Sequence, residues 1–284
     1  MSSFAIVTDS TANLPKAFIE KQGIYVLPLT WISGEKEYSG SMEGEREAYA
    51  LFYEKLRKEK HISTSMSNQR AAQKLVQKLL SEEKDILYIG LSSKLSGTFH
   101  MMERVLGYEA KKYPERKWYA VDSFAIGLGE GSLVFDAAKI RRRGEEIGAA
   151  YAWCCQRRWR LHTLFTVDDL GFLRRSGRAN AVLSTAGSVL KIKLLFSMQD
   201  GGKLRQVGKV RGRKKALQEL TTQALTGLTE PQTIYISHGD CHEDACYVAR
   251  QMEKSEFVKK IIMQPLDPVS ACHTGPNSIG IFFV

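Results

Sequence analysis

Short apolar runs alternate with segments of helical period along the first half of the chain. Phe4-Ala5-Ile6-Val7-Thr8, Ile24-Tyr25-Val26-Leu27-Pro28-Leu29, Ile86-Leu87-Tyr88-Ile89-Gly90 and Lys117-Trp118-Tyr119-Ala120-Val121 are each bounded by polar or turn residues, the pattern of buried strands. Between them, residues 45–58 space Ala48, Leu51, Phe52 and Leu56 as one helix face. A later helix carries Leu75, Leu79 and Leu80, and two more helical patterns run from Asp122-Ser123 to about Arg158. Asn13, with Pro15 close behind, reads as a helix start. Gly34 to Glu37 reads as a turn, and Ser63 to Asn68 as a polar loop. Strand and helix in alternation predict a mostly parallel sheet with helices on both faces.

The second half is patterned differently. Leu161 to Val167 reads as a strand, and Asp168-Asp169 opens a short helix that stops near Ser176-Gly177. Ile192 to Phe196 and Lys203 to Val207 flank Asp200-Gly201-Gly202, the signature of an antiparallel hairpin with a glycine turn. A helix near 212–227, a strand at 233–237, a helix near 243–254, a strand near 258–263 and a last strand from Gly280 to Val284 complete an α+β pattern. The expected fold class is α/β in two domains. Residues 1–160 form a parallel-sheet domain, and 161–284 an α+β domain with a mixed or antiparallel sheet.

Each strand-to-helix junction of the first half carries hydroxyls: Asp9-Ser10, Ser63-Thr64-Ser65, Leu91-Ser92-Ser93-Lys94-Leu95-Ser96-Gly97-Thr98, and Asp122-Ser123. Singly, each is explained by helix capping. Together they line the edge of a parallel sheet where such folds hold ligands. A helix N-terminus beside hydroxyls favours an anionic oxygen, so the expected ligand group is a carboxylate or phosphate. No Gly-x4-Gly-Lys-Ser/Thr phosphate loop and no Gly-x-Ser-x-Gly elbow occurs, which argues against a nucleotide site and against serine nucleophiles.

Charge adds one element to this picture. The 284 residues carry 41 Lys and Arg against 31 Asp and Glu, a net +10, which favours an anionic partner. The basic residues cluster at Arg141-Arg142-Arg143, at Arg157-Arg158 with Arg160, and at Arg211 with Arg213-Lys214-Lys215. Solvated helix faces account for any one cluster. No nucleic-acid-binding motif accompanies them, so no specific nucleic acid is expected. Five Cys in no scaffold spacing read as reduced thiols, and with no signal-like N-terminus the expected location is cytoplasmic. His238, Cys241, His242 and Cys246 fit no standard zinc spacing and read as local packing, so no metal and no cofactor is expected.

Two further places hold candidate chemistry. Leu173-Arg174-Arg175-Ser176-Gly177-Arg178 sets three guanidinium groups at a helix end. Cations favour such an end, which accounts for Arg174 and Arg175 but less well for Arg178, beyond the glycine. His273-Thr274-Gly275-Pro276-Asn277 reads as a tight loop before the last strand, with Asn277 in a left-handed conformation.

In order and spacing these segments resemble the DegV family, the fatty acid-binding subunits of bacterial fatty acid kinase. The resemblance runs from Val7-Thr8-Asp9-Ser10-Thr11 through Thr64-Ser65, the Leu91 to Thr98 loop, Val121-Asp122-Ser123, the Leu173 to Arg178 turn and the Lys191 to Arg213 region to His273-Thr274-Gly275-Pro276. It implies two α/β domains and a buried long-chain fatty acid. Its carboxyl group would be presented to a separate kinase catalytic subunit, and the acyl phosphate would pass toward phospholipid synthesis. It also implies that Thr64 and Ser96 hydrogen-bond the carboxylate, with Arg178 and His273 beside it. Met66-Ser67 stand where the family has Gln-Pro, Gly127 where many members have Ser, and Asn277 in place of a Gly. The expectation is a lipid carrier, not itself an enzyme, in transient contact with a membrane surface. The alternatives are a hydrolase or phosphotransferase working through Ser96, His273 and Arg178, and a nucleic-acid binder.

Overall fold

A computed structural model describes residues 4–41, 46–59, 61–178 and 192–284. Glu45 of the first-half helix and the Lys191 end of the region named above lie outside the described residues. Four strands make an all-parallel sheet: β1 (Ala5–Asp9), β2 (Ile24–Leu27), β6 (Ile86–Gly90) and β7 (Trp118–Asp122), in the order β2-β1-β6-β7. Side chains alternate across a strand, so the apolar runs of β1 and β6 serve two cores. Ile6, Leu87 and Ile89 face α1 (Lys16–Gln22), α5 (Leu128–Arg142) and α6 (Ile147–Arg160). Ala5, Val7, Ile86 and Tyr88 face α3 (Gln69–Ser81) and α4 (Thr98–Glu109). The chain is α/β, with helices on both faces of this sheet.

Two short strands absent from the sequence reading, β3 (Thr30–Ser33) and β4 (Lys36–Ser39), form a hairpin around Gly34. β5 (Ile62–Ser65) adds to it antiparallel, pairing Trp31 with Thr64 and Thr30 with Ser65. The segment expected as a polar loop at Ser63 is therefore a strand. It packs over α2 (Arg46–Lys58) in a cluster with Trp31, Phe52, Tyr53 and Leu56. Asn13 also differs from expectation. It ends a 3₁₀ turn (Ser10–Ala12) in the left-handed region at φ 56°, and its amide donates to the Ser237 hydroxyl at 3.2 Å.

A six-stranded mixed sheet follows: β8 (His162–Thr166), β9 (Ile192–Gln199), β10 (Lys203–Arg211), β11 (Gln232–His238), β12 (Val258–Pro265) and β13 (Ile279–Phe283). Its order is β10-β9-β8-β13-β11-β12, with only β11 and β12 parallel. β9 and β10 make the expected hairpin about Asp200-Gly201-Gly202. One face is covered by α8 (Arg213–Gly227) and α9 (His242–Met252). The other turns toward α5 and α7 (Leu170–Ser176), bringing Phe165, Phe196 and Phe282 inside. His273, expected in a loop, lies in the last turn of α10 (Pro268–Thr274), capped by Asp267 and ended by Gly275.

α5 approaches the turn after β1 so closely that a Cβ on Gly131 would lie 2.4 Å from the Ala12 carbonyl oxygen. Backbone cannot yield as a flexible side chain does. Gly131→Ala is expected to destabilise the fold by about 1–3 kcal/mol. Gly148→Ala, with open space around the added methyl, is expected to stabilise by up to about 1 kcal/mol. Urea unfolding of both variants checks the contrast, and equal effects would contradict it.

Candidate functional site

The carboxyl ends of all four parallel strands open on one crevice, the place where open α/β sheets hold ligands. Thr11 follows β1, Leu29 follows β2, Leu91, Leu95 and Ser96 follow β6 and Ile126 follows β7, and each contributes to the wall of one cavity. The opposite wall comes from the six-stranded sheet and α7, through Phe165, Met198, Leu204 and Leu173. Thr64 of β5 and Val269, Ser270 and His273 of α10 close one end. More than half of the lining is aliphatic or aromatic, and Thr64, Ser96, Arg178 and His273 are among its polar groups.

All four residues singled out from the sequence thus line one cavity, though they come from widely separated segments. Thr64 Oγ1 and His273 Nε2 are 3.0 Å apart. Burial, with the Arg178 charge adding to it, pushes the His273 imidazole down to about 4, so the ring is neutral at pH 7. In the tautomer protonated at Nε2, His273 donates to Thr64, and the Thr64 proton is free for an acceptor in the cavity. Ser96 Oγ accepts from the Thr98 backbone N–H at 3.2 Å and lies 3.0 Å from the buried Thr98 hydroxyl. When Thr98 donates to Ser96, the Ser96 proton is likewise free. Arg178 is held by the Ser176 and Leu95 carbonyls at 2.6 and 3.5 Å and stays exposed at the mouth. The imidazole is bonded to Thr64, and among the described residues no base is hydrogen-bonded to Ser96.

The other hydroxyls of the Leu91 to Thr98 stretch build the loop itself. Ser92 is fully buried and donates to the Gly202 carbonyl at 3.1 Å, fastening this loop to the β9–β10 turn. The Ser93 and Phe124 N–H groups both donate to Asp122 Oδ1 at 3.2 Å.

Behind the cavity lies a feature that sequence reasoning missed. Asp9, Glu130 and Asp267 are buried together. Asp9 accepts from the backbone N–H groups of Thr11 and Leu91 at 2.9 and 3.1 Å. The Thr11 hydroxyl lies 2.5 Å from Asp9 Oδ1 and 2.9 Å from Glu130 Oε2, and Thr8 donates to Glu130 Oε1 at 3.0 Å. Thr11 has one proton to give. The chain of bonds closes when Glu130 is the protonated partner, donating to Thr11, which donates to Asp9. Burial drives the Glu130 carboxyl well above its ordinary value, and the neighbouring Asp9 adds to this, which agrees. Burial also pushes Asp267 up to about 7. Gly129-Glu130-Gly131, an acid between two glycines in an apolar helix, was the available signal.

The histidine–cysteine segment makes local contacts. Cys241 Sγ bonds to the Ser278 carbonyl, Cys246 Sγ is 3.3 Å from His242 Nε2, and among the described residues no group of three or more metal-capable side chains gathers. Many basic-cluster residues have structural partners. Arg157 pairs with Asp136 at 2.6 Å, Arg213 with Asp244 at 2.7 Å, and Arg160 with Glu230 at 2.7 Å. Among the described residues no helix is long and apolar enough to cross a membrane.

Asp267 predicts a pH dependence. Its folded value, about 7, lies above its unfolded value of 3.8. The folded state therefore holds a proton that the unfolded state releases, and this group's contribution to stability falls as pH rises from about 4 to 7. Asp267→Asn is neutral throughout. Wild type is expected to gain on the variant by up to about 1.4 kcal/mol per unit as pH falls through that window. Urea unfolding of both proteins at several pH values tests it, and a pH-independent difference would refute the assignment.

Comparison with known proteins gives consistent matches along the chain. A family model described as "Uncharacterised protein, DegV family" matches residues 3–284. A DegV domain-containing protein of Clostridium perfringens is 34% identical over 286 residues, covering 100% of this chain and 98% of its own. A solved structure described as fatty acid binding of a DegV family protein from Thermus thermophilus aligns with a TM-score of 0.87 at 26% identity, covering 99% of this chain and 98% of its own. A DegV-family structure from Ruminococcus gnavus with vaccenic acid aligns with a TM-score of 0.90 over 100% of both chains, and at 18% identity it supports the shared fold alone.

Proposed function

The chain belongs to the DegV family, and we propose that it binds a long-chain fatty acid and presents the carboxyl group to a separate kinase. The observation that carries this reading is one cavity whose mostly apolar lining also holds Thr64, Ser96, Arg178 and His273. The fatty acid-binding relative from Thermus thermophilus supports it. A buried acyl chain gains about 0.8 kcal/mol per CH₂, so about ten buried methylenes supply about 8 kcal/mol before ordering losses. The carboxylate needs hydrogen bonds, since burying it bare would cost several kcal/mol. The free protons of Thr64 and Ser96 meet that need, and Arg178 at the mouth supplies the opposite charge.

In this reading the protein is a carrier. The phosphoryl donor and its binding loop belong to the kinase partner, which meets the carboxylate where Arg178 is exposed. The acyl phosphate then leaves toward lipid synthesis. Residues 1–160 supply the hydroxyl-bearing floor of the site, and residues 161–284 the wall that covers the acyl chain. The net positive charge favours transient contact with an anionic membrane surface, where the fatty acid is acquired, and the cytoplasm is the compartment that fits.

Organic extraction of the purified protein followed by mass spectrometry is expected to show a long-chain fatty acid. An empty extract, with no uptake of added palmitate or oleate, would overturn the proposal. The double variant Thr64→Ala/Ser96→Ala loses two hydrogen bonds to a charged acceptor, about 1.5–3 kcal/mol each. Its palmitate affinity is expected to fall at least about a hundredfold, and unchanged affinity would remove both residues from the site. Arg178→Ala is expected to keep the fold and slow phosphorylation of the bound fatty acid by the kinase, and a normal rate would contradict its role.

A further inference from the structure

Where the amino end of β11 meets α5 and α6, a groove opens that shares no lining residue with the acyl cavity. Its organising group is the buried Asp136 of α5. The carboxylate pairs with Arg157 at 2.6 Å and Lys139 at 3.1 Å, and accepts from the Trp153 indole N–H at 3.3 Å. The Trp153 ring, 47% exposed, is thereby held as one wall of the groove. Tyr235 of β11 is also in the lining, yet only 3% exposed, with its ring stacked on Phe135 at 5.7 Å. Its hydroxyl reaches the groove and has no hydrogen-bond partner among the described residues. Burial and the neighbouring Asp136 carboxylate both raise this phenol, so it stays protonated and can donate. Buried polar groups are nearly always bonded, so this one marks a place for an acceptor that the chain does not supply.

The charges of the lining sharpen the chemistry. Glu145 is matched by Arg143 at 3.8 Å, and Glu230 by Arg160 at 2.7 Å. Lys259 of β12 lines the groove, is exposed, and has no ion-pair partner among the described residues. A flat aromatic wall, a buried donor and an unmatched cation converge on one groove, as in small-molecule sites. An alkyl chain offers no acceptor to Tyr235, and a bare inorganic anion offers no face to Trp153. A ring that bears acceptor atoms and an anionic group uses all three.

We propose that this groove is a second ligand site, which takes a planar aromatic anion with its ring on Trp153, a ring acceptor at the Tyr235 hydroxyl and its charge toward Lys259. A nucleotide and an aryl carboxylate share that chemistry. The site is separate from the acyl cavity, and neither the inference nor its test depends on the fatty-acid reading.

Calorimetric titration of the whole chain with adenosine monophosphate and with 2-naphthoate tests the proposal, with adenosine and inorganic phosphate as partial ligands. At least one of the two anions is expected to bind with a Kd below about 1 mM. Tyr235→Phe removes one oxygen that has no partner in the fold, so it is expected to leave the unfolding midpoint unchanged and to weaken that binding about tenfold. Trp153→Ala is expected to weaken it about as much, whereas Trp159→Ala, which removes an exposed indole outside the groove, leaves it within about twofold. Lys259→Gln is expected to weaken it and to flatten its dependence on salt. Binding of adenosine monophosphate alone assigns the groove to a nucleotide, and Tyr235-dependent binding of 2-naphthoate alone assigns it to an aryl carboxylate. Binding of neither anion would overturn the site. So would binding that Tyr235→Phe and Trp153→Ala leave unchanged, the result expected of a ligand lodged in the acyl cavity. Adenosine or inorganic phosphate binding as tightly as adenosine monophosphate, with no binding of 2-naphthoate, would overturn the pairing of ring and charge.

Discussion

Asp9 sits fully buried at the end of β1 and gathers hydrogen bonds from the Thr11 backbone and hydroxyl, the Leu91 N–H and the Tyr88 hydroxyl. Parallel neighbours end side by side, and their following loops would otherwise diverge freely. Asp9 fastens the turn after β1 to the first residue after β6. The crevice lies between those two segments, and the Ser92 to Thr98 loop begins from the point that Asp9 holds. The close packing of Gly131 on Ala12 fixes the same turn from the α5 side. The position of Ser96 follows from these contacts, since the loop that carries it is fastened at Leu91, at Ser92 through the Gly202 carbonyl, and at Thr98 by its own capping bond.

Three carboxyl groups beneath a site for an anion would repel it if all were charged. Burial eases the conflict by raising all three, and the hydrogen-bond chain through Thr11 is complete with Glu130 protonated and Asp9 accepting. A neutral Glu130 removes one negative charge from beneath the crevice. The same burial acts on His273 in the opposite sense, removing a positive charge, so the polar end works through neutral donors backed by a guanidinium at the mouth. Charge is thereby kept at the rim, where water is near, and away from the apolar wall.

The parallel sheet, its order of hydroxyl-bearing junctions and the Gly-turn hairpin were legible because each follows from local rules: apolar runs, capping hydroxyls and glycine at a tight turn. β5 and α10 were not. Ile62-Ser63-Thr64-Ser65 alternates in burial, but three of its four side chains are small hydroxyls, so no apolar period marks it as a strand, and only its pairing with β3 makes it one. α10 is seven residues long, begins at Pro268 and ends against Gly275-Pro276, so its composition resembles a turn. Both elements exist because they pack on Trp31, Phe52 and Leu266, contacts distant in sequence. The site residues were recognisable as types and by family resemblance, while their meeting in one cavity depends on those two unforeseen elements.

Neither sheet makes the site alone. The parallel sheet offers the floor that folds of this kind present at the carboxyl ends of their strands, but one such floor is open to water. The six-stranded sheet covers it with Phe165, Met198 and Leu204, and is held in place by polar contacts between the halves, Ser92 to Gly202 and Asn13 to Ser237. Those contacts are single hydrogen bonds, each about 1 kcal/mol in net terms, and the packing of Leu128 and Phe135 of α5 on Tyr235 and Phe282 adds an apolar joint beside them. The walls of the cavity are therefore set by packing beside it that involves no ligand, which leaves the crevice formed and its apolar lining in place.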